Sequence, residues 1–72
     1  MKAKINIDTL TRITAFVGIC ERLECRVDLI DGANYRVSAK SLMGALATRD
    51  WSEVYVECEH DIYSHIMDFL AE

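Results

Sequence analysis

Lys40-Ser41-Leu42-Met43-Gly44-Ala45-Leu46 is the stretch on which the reading of this chain turns. Ser41 has the side chain of a helix N-cap, whose hydroxyl accepts from a backbone N–H two or three residues further on. Ser38 is the other candidate cap. Leu42, Met43, Ala45 and Leu46 then fall at helical spacings, with Gly44 inside the turn. The stretch reads as a short helix set between two strand-like segments.

Upstream, Tyr35, Val37 and Ala39 alternate with polar residues, the period-2 mark of a half-buried strand. Asp31-Gly32 before it predicts a type I′ hairpin, a turn that needs two residues tolerant of positive φ. The other arm alternates Cys25, Val27 and Leu29 with Arg26, Asp28 and Ile30. Earlier still, Leu10, Ile13, Phe16, Val17, Cys20 and Leu23 mark one face of a helix over 10–23, with Asp8, Thr9 and Thr11 as candidate N-caps. Gly18 within that helix costs about 1 kcal/mol against Ala and predicts close packing or a local bend. Ala3, Ile5 and Ile7 alternate with Lys2, Lys4 and Asn6 as a first strand.

Downstream, a loop holding Arg49, Asp50 and Trp51 leads to Val54, Val56 and Cys58, which alternate with Glu53, Tyr55 and Glu57. Trp51 is expected as a lid on the core, with an exposed interaction residue as the alternative. Ile62, Ile66, Phe69 and Leu70 predict a closing helix capped by Glu59, His60 or Asp61. The order is β-α-β-β-α-β-α. It predicts one α+β domain over 1–72, an open-faced sandwich with helices on one face of a four-stranded antiparallel sheet. Ile30 and Tyr55 fall on the uncovered face, which leaves room for a homodimer through the sheet.

Composition narrows the function. The 72 residues are 51% apolar and 28% charged, with net charge −4, a poor match to nucleic acid, whose phosphates demand a basic face. Uncharged stretches such as residues 13–20 are far shorter than a membrane span. No apolar segment follows the basic opening, so secretion is not expected. Three cysteines cannot close a disulfide framework; the reading is a reduced, cytoplasmic protein with Cys20, Cys25 and Cys58 as small core residues. All seven acids from Asp50 onward stand without a single Lys or Arg, while residues 1–49 carry a net +3, so the two parts attract each other. His60 and His65 lie five apart, pointing away from each other on a helix, so neither metal nor another cofactor is expected.

The 40–46 stretch resembles the Lys-Ser-Ile-Met-Gly segment of the HPr phosphocarrier family of the bacterial sugar phosphotransferase system. The resemblance runs back through the strand over 27–32 and the helix over 13–23, and forward through the strand over 53–57 and the closing helix. It implies the same open-faced β-sandwich. The family's phosphocarrier His stands in a His-Ala-Arg-Pro motif at the start of the first helix. Here that stretch reads Thr9-Leu10-Thr11-Arg12, and the chain has no Pro. A Thr hydroxyl needs a base, and the first 59 residues contain no His. The chain is thus similar to the catabolite-repression HPr proteins, which keep the regulatory serine without the His.

On that resemblance Ser41 matches the serine phosphorylated by an ATP-dependent kinase, and Leu42, Met43 and Leu46 match the family's apolar docking patch. Thr9, Thr11 and Arg12 complete the implied docking surface. The implied partners are phosphotransferase-system proteins or a transcriptional regulator, and the implied role is regulatory protein binding, not catalysis. Two other readings are a small-ligand-sensing ferredoxin-like domain, whose βαββαβ order lacks the last element, and a working phosphocarrier of unusual geometry.

Overall fold

Of the three candidate caps for the first helix, Thr9 is the one used. Its hydroxyl accepts the Arg12 N–H at 3.2 Å and its extended backbone (φ −116°, ψ 155°) turns the chain into α1, Leu10–Glu21. The computed structural model describes residues 1–32 and 34–71; Ala33 and Glu72, which fall within the expected hairpin and the acidic segment, lie outside the described residues. The strands are β1 (Lys2–Lys4), β2 (Val27–Ile30), β3 (Arg36–Ser38) and β4 (Tyr55–Cys58). The other helices are α2 (Leu42–Ala47), continued by a 3₁₀ turn Thr48–Asp50, and α3 (Tyr63–Ile66), continued by a 3₁₀ turn Met67–Phe69. The protein is therefore α+β, as its pattern predicts.

The sheet order is β1-β4-β2-β3 with every pair antiparallel. Pleating divides each strand between two faces. Val27, Leu29, Val56 and Cys58 are buried with Ile13, Phe16, Val17 and Cys20 of α1, Ala45 of α2, and Ile62, Ile66 and Phe69 of the closing segment. Phe16 and Phe69 meet edge to face at 5.2 Å. Lys2, Lys4, Asp28, Ile30, Arg36, Tyr55 and Glu57 stand on the opposite, helix-free side.

Several local expectations change. β1 ends at Lys4 because the chain then pairs with the C-terminal segment: Ile5 bridges Leu70, the Asn6 N–H donates to the Phe69 carbonyl at 2.7 Å, and the Ala71 N–H donates to the Lys4 carbonyl at 2.9 Å. Ile7 is buried but lies outside the strand. Helix α1 stops at Glu21, two residues short, where the Leu23 N–H donates to the Cys20 carbonyl in a tightened last turn. Leu10 is 55% exposed rather than part of the core face. Gly18 neither packs closely nor marks a contact, since a Cβ there would meet nothing within 4 Å.

The hairpin is not the two-residue type I′ turn. Gly32 has φ +94° but Asp31 does not share the left-handed conformation. Instead the Asp31 carboxylate accepts from the Asn34 and Tyr35 N–H groups at 3.0 and 3.1 Å, spreading the turn over a longer loop. The closing helix is also not continuous. Ile66 departs from helical geometry (φ −122°, ψ 17°), the next residues tighten to 3₁₀, and Leu70 is extended to reach Ile5. Its N-cap position is Ile62, with no side-chain cap bond; Asp61 instead accepts from the Tyr63 N–H at 3.0 Å.

Candidate protein-docking site

Ser41 caps α2. Its Oγ accepts the Gly44 N–H at 3.1 Å from an extended backbone, while Ser38 turns its hydroxyl to the Lys40 N–H. Ser41 is exposed. A six-residue helix has room for one buried face, and here Ala45 takes it, with no exposure at all. Leu46 is half-buried against the core, whereas Leu42 is 42% and Met43 82% exposed. Gly44 brings α2 close to β3: a Cβ at that position would lie 3.2 Å from the Val37 Cβ. The three apolar residues expected to act together are thus split. Leu42 and Met43 face water beside Ser41, and Leu46 anchors the helix.

At the start of α1 the side chains have different employment. Thr9 is the cap and Thr11 is exposed. Arg12 is half-buried: Nε donates to the Asn6 carbonyl at 2.9 Å, Nη2 to the Asp68 carbonyl at 2.8 Å, and the guanidinium lies 4.9 Å from the Phe69 ring centre. Two charge-assisted bonds and a cation–π contact tie it to the segments on either side of α1. Its role in the fold is that of a tether.

The uncovered sheet face is more polar than expected. Arg36 reaches over β2, donating from Nη1 to Asp28 at 2.7 Å and from Nη2 to Glu57 at 2.8 Å. Arg26 meets Asp28 at 3.2 Å. Glu57 first, then Asp28, holds the Arg36 pKa above its ordinary value. Lys2 lies over the Tyr55 ring at 5.1 Å and Lys4 meets Glu53 at 3.5 Å. The Lys4–Glu53 and Arg36–Glu57 pairs join the basic and acidic parts of the chain, as the charge distribution predicts. The pattern gave no signal for the Tyr35–Trp51 stack, with centroids 6.2 Å apart, because the two rings come from loops 16 positions apart that only the fold brings together. Trp51 is half-buried and packs against the core, so it is also the lid expected of it.

The three cysteines divide. Cys20 is buried on α1, and burial pushes its thiol up to about 12. Cys58 is buried on β4 and Cys25 only partly so, with their Sγ atoms 3.4 Å apart. That hydrogen bond, and secondarily burial, raises the Cys25 pKa. His60 and His65 are exposed, and among the described residues no three His, Cys, Asp or Glu side chains are grouped to hold a metal ion. Among the described residues no helix is long and apolar enough to cross a membrane. No family model, curated protein or solved structure matches the chain.

Proposed function

We propose that this protein is a regulatory protein-binding module related to the HPr proteins of the sugar phosphotransferase system, without phosphocarrier activity and not an enzyme. One observation carries the reading: an exposed Ser41 at the head of α2, with Leu42 and Met43 turned to solvent beside it. Exposed Met is flexible and polarizable, which suits a surface that meets partners. The α+β architecture supports the resemblance on which the reading rests. So does the segment after β4, which buries Ile62, Ile66 and Phe69 and which a six-element ferredoxin-like domain would lack. At the start of α1 no His is available, and Arg12 is engaged with two carbonyls instead of facing outward.

The proposed partners are a serine kinase of the HPr type and, after phosphorylation, a transcriptional regulator or another phosphotransferase component that reads Leu42 and Met43. The proposed compartment is the cytoplasm. The test is intact mass in two parallel reactions. With an HPr kinase and ATP, one acid-stable phosphoryl group is expected on the native chain and none on Ser41→Ala. With phosphoenolpyruvate and enzyme I, the mass stays unchanged while a true HPr in the same tube is modified. An acid-labile phosphoryl group in the second reaction would restore the phosphocarrier reading, and no transfer to Ser41 in the first would remove the regulatory one.

A further inference from the structure

We propose that Cys25 and Cys58 form a thiol–disulfide exchange site that reacts with a small-molecule disulfide, such as oxidised glutathione, and closes to an intramolecular disulfide. The two sulfurs are 3.4 Å apart although 33 positions separate them in sequence. The strand register explains how. Val27 of β2 lies opposite Cys58 of β4, and Cys25 lies two residues before Val27, in the segment that leads into β2. The site owes nothing to the docking reading, because neither cysteine belongs to α2.

The pair has the asymmetry that exchange requires. Cys58 is buried, whereas Cys25 is partly exposed in the segment between α1 and β2. Both are among the residues that line an open groove of about 840 Å³, which Lys2, Arg26 and His60 share with the acids Asp28, Glu57 and Glu59. Oxidised glutathione is two tripeptides joined by a disulfide, and an open groove of that volume has room for the tripeptide half that stays on Cys25 in the mixed disulfide. Cys25, as thiolate, attacks one sulfur of the incoming disulfide; that S–S bond breaks, and the departing thiolate takes up a proton. Cys58, as thiolate, then attacks Cys25 Sγ, forming the Cys25–Cys58 bond and expelling the second half of the reagent. Two protein thiols are oxidised, one external disulfide is reduced to two thiols, and the two protein protons end on them. The sulfurs close from 3.4 Å to roughly 2 Å, a movement the irregular segment before β2 can take up.

The hydrogen bond to Cys58, and secondarily burial, raises the Cys25 pKa, so the first step, which needs the thiolate, accelerates as pH rises. Cys20 has no exposed surface and stays a thiol.

The full chain is incubated with oxidised glutathione, quenched with N-ethylmaleimide in denaturant so that the buried thiols are reached, and analysed by intact mass and peptide mapping. The native protein is expected to lose two hydrogen atoms, with Cys25 and Cys58 peptides joined. Cys58→Ser is expected to stop with one glutathione on Cys25, and Cys25→Ser to form neither adduct nor disulfide. Where the buried Cys58→Ser change prevents folding, the native peptide map and the Cys25→Ser variant decide. The proposal fails if all three thiols of the native chain remain alkylatable, if glutathione stays on Cys25 without closure, or if Cys25→Ser still forms a disulfide.

Discussion

Arg36 Nη1 donates to Asp28 Oδ2 at 2.7 Å across the β2–β3 pair, diagonal to the Ile30–Arg36 register position. Asp28 is only 7% exposed, and this bond, with the longer one from Arg26, supplies its ion-pair partners in the middle of the sheet. Truncating Arg36 therefore leaves a buried charge with a poorer partner. Breaking a fully buried pair costs about 3–5 kcal/mol. Arg36 is about half exposed and Arg26 remains, so Arg36→Met is expected to lower the urea midpoint by much less than the loss of a fully buried pair would. Adding Asp28→Asn to Arg36→Met should recover part of that. A single variant as stable as the native chain would mean that Asp28 does not depend on Arg36.

The two helical glycines are expected to respond in opposite ways. At Gly18 a Cβ meets nothing within 4 Å, so Gly18→Ala gains helix propensity without a clash and should stabilise by about 0.5–1 kcal/mol. At Gly44 the same Cβ would lie 3.2 Å from the Val37 Cβ and 3.5 Å from the Ser38 carbonyl. There α2 must shift from β3, and Gly44→Ala should lower the melting temperature. Equal shifts in the two variants would contradict this difference in space.

On α2, capping, anchoring and exposure are separable. Ser41→Ala removes the acceptor for the Gly44 N–H and should cost about 1 kcal/mol, while Ser41→Asp keeps one. Leu46→Ala, at the edge of the core, should cost about 1–2 kcal/mol by lost apolar burial. Met43→Asp, at 82% exposure, should stay within about 0.5 kcal/mol of the native chain. Chemical denaturation of the four variants checks the order, and a large loss at Met43 would place that side chain in a packed interface instead.

Cys20 gives the fold an alkaline limit. Burial raises its pKa from the ordinary 9.0 to about 12, so the folded state holds the thiol proton more tightly than the unfolded state does. That contribution is complete below pH 9.0 and is lost as pH rises toward about 12. Native stability should fall across this window, by an amount on the order of a few kcal/mol at most. Urea midpoints at about pH 8 and pH 10.5 for the native chain and Cys20→Ala make the comparison, since Lys and Tyr titrate alike in both. Parallel losses in the two proteins would mean that Cys20 carries none of the effect.

Apolar spacing was sufficient for the architecture because α1 and the strands bury what the pattern says they bury: Ile13, Phe16, Val17 and Cys20 on one side, Val27, Leu29 and Val56 on the other. The same spacing misread the closing segment. Ile62, Ile66 and Phe69 are all buried, as their intervals require. An interval does not report helical rise, however, and the chain tightens to 3₁₀ so that Leu70 meets Ile5. The candidate site was half readable. Ser41 declares itself as a cap by side-chain chemistry, but which of Leu42, Met43 and Leu46 faces water depends on how α2 lies on β3. Arg12 shows the converse: its charge is evident in the sequence, and its three contacts are made by Asn6, Asp68 and Phe69, which only tertiary structure brings to it.

The strand-like pairing of Leu70 and Ala71 with residues 4–6 also bears on self-association. An open sheet has two borders whose free N–H and C=O groups invite a strand from another molecule. Here the C-terminal segment already occupies part of the β1 border, and the opposite border, β3, is three residues long with Arg36 and Ser38 exposed. Short, charged or covered borders are how natural sheets avoid templating fibrils. A truncation that removes Leu70 and Ala71 would therefore expose the β1 border, and aggregation through that border, more than loss of core packing, would be its most damaging consequence.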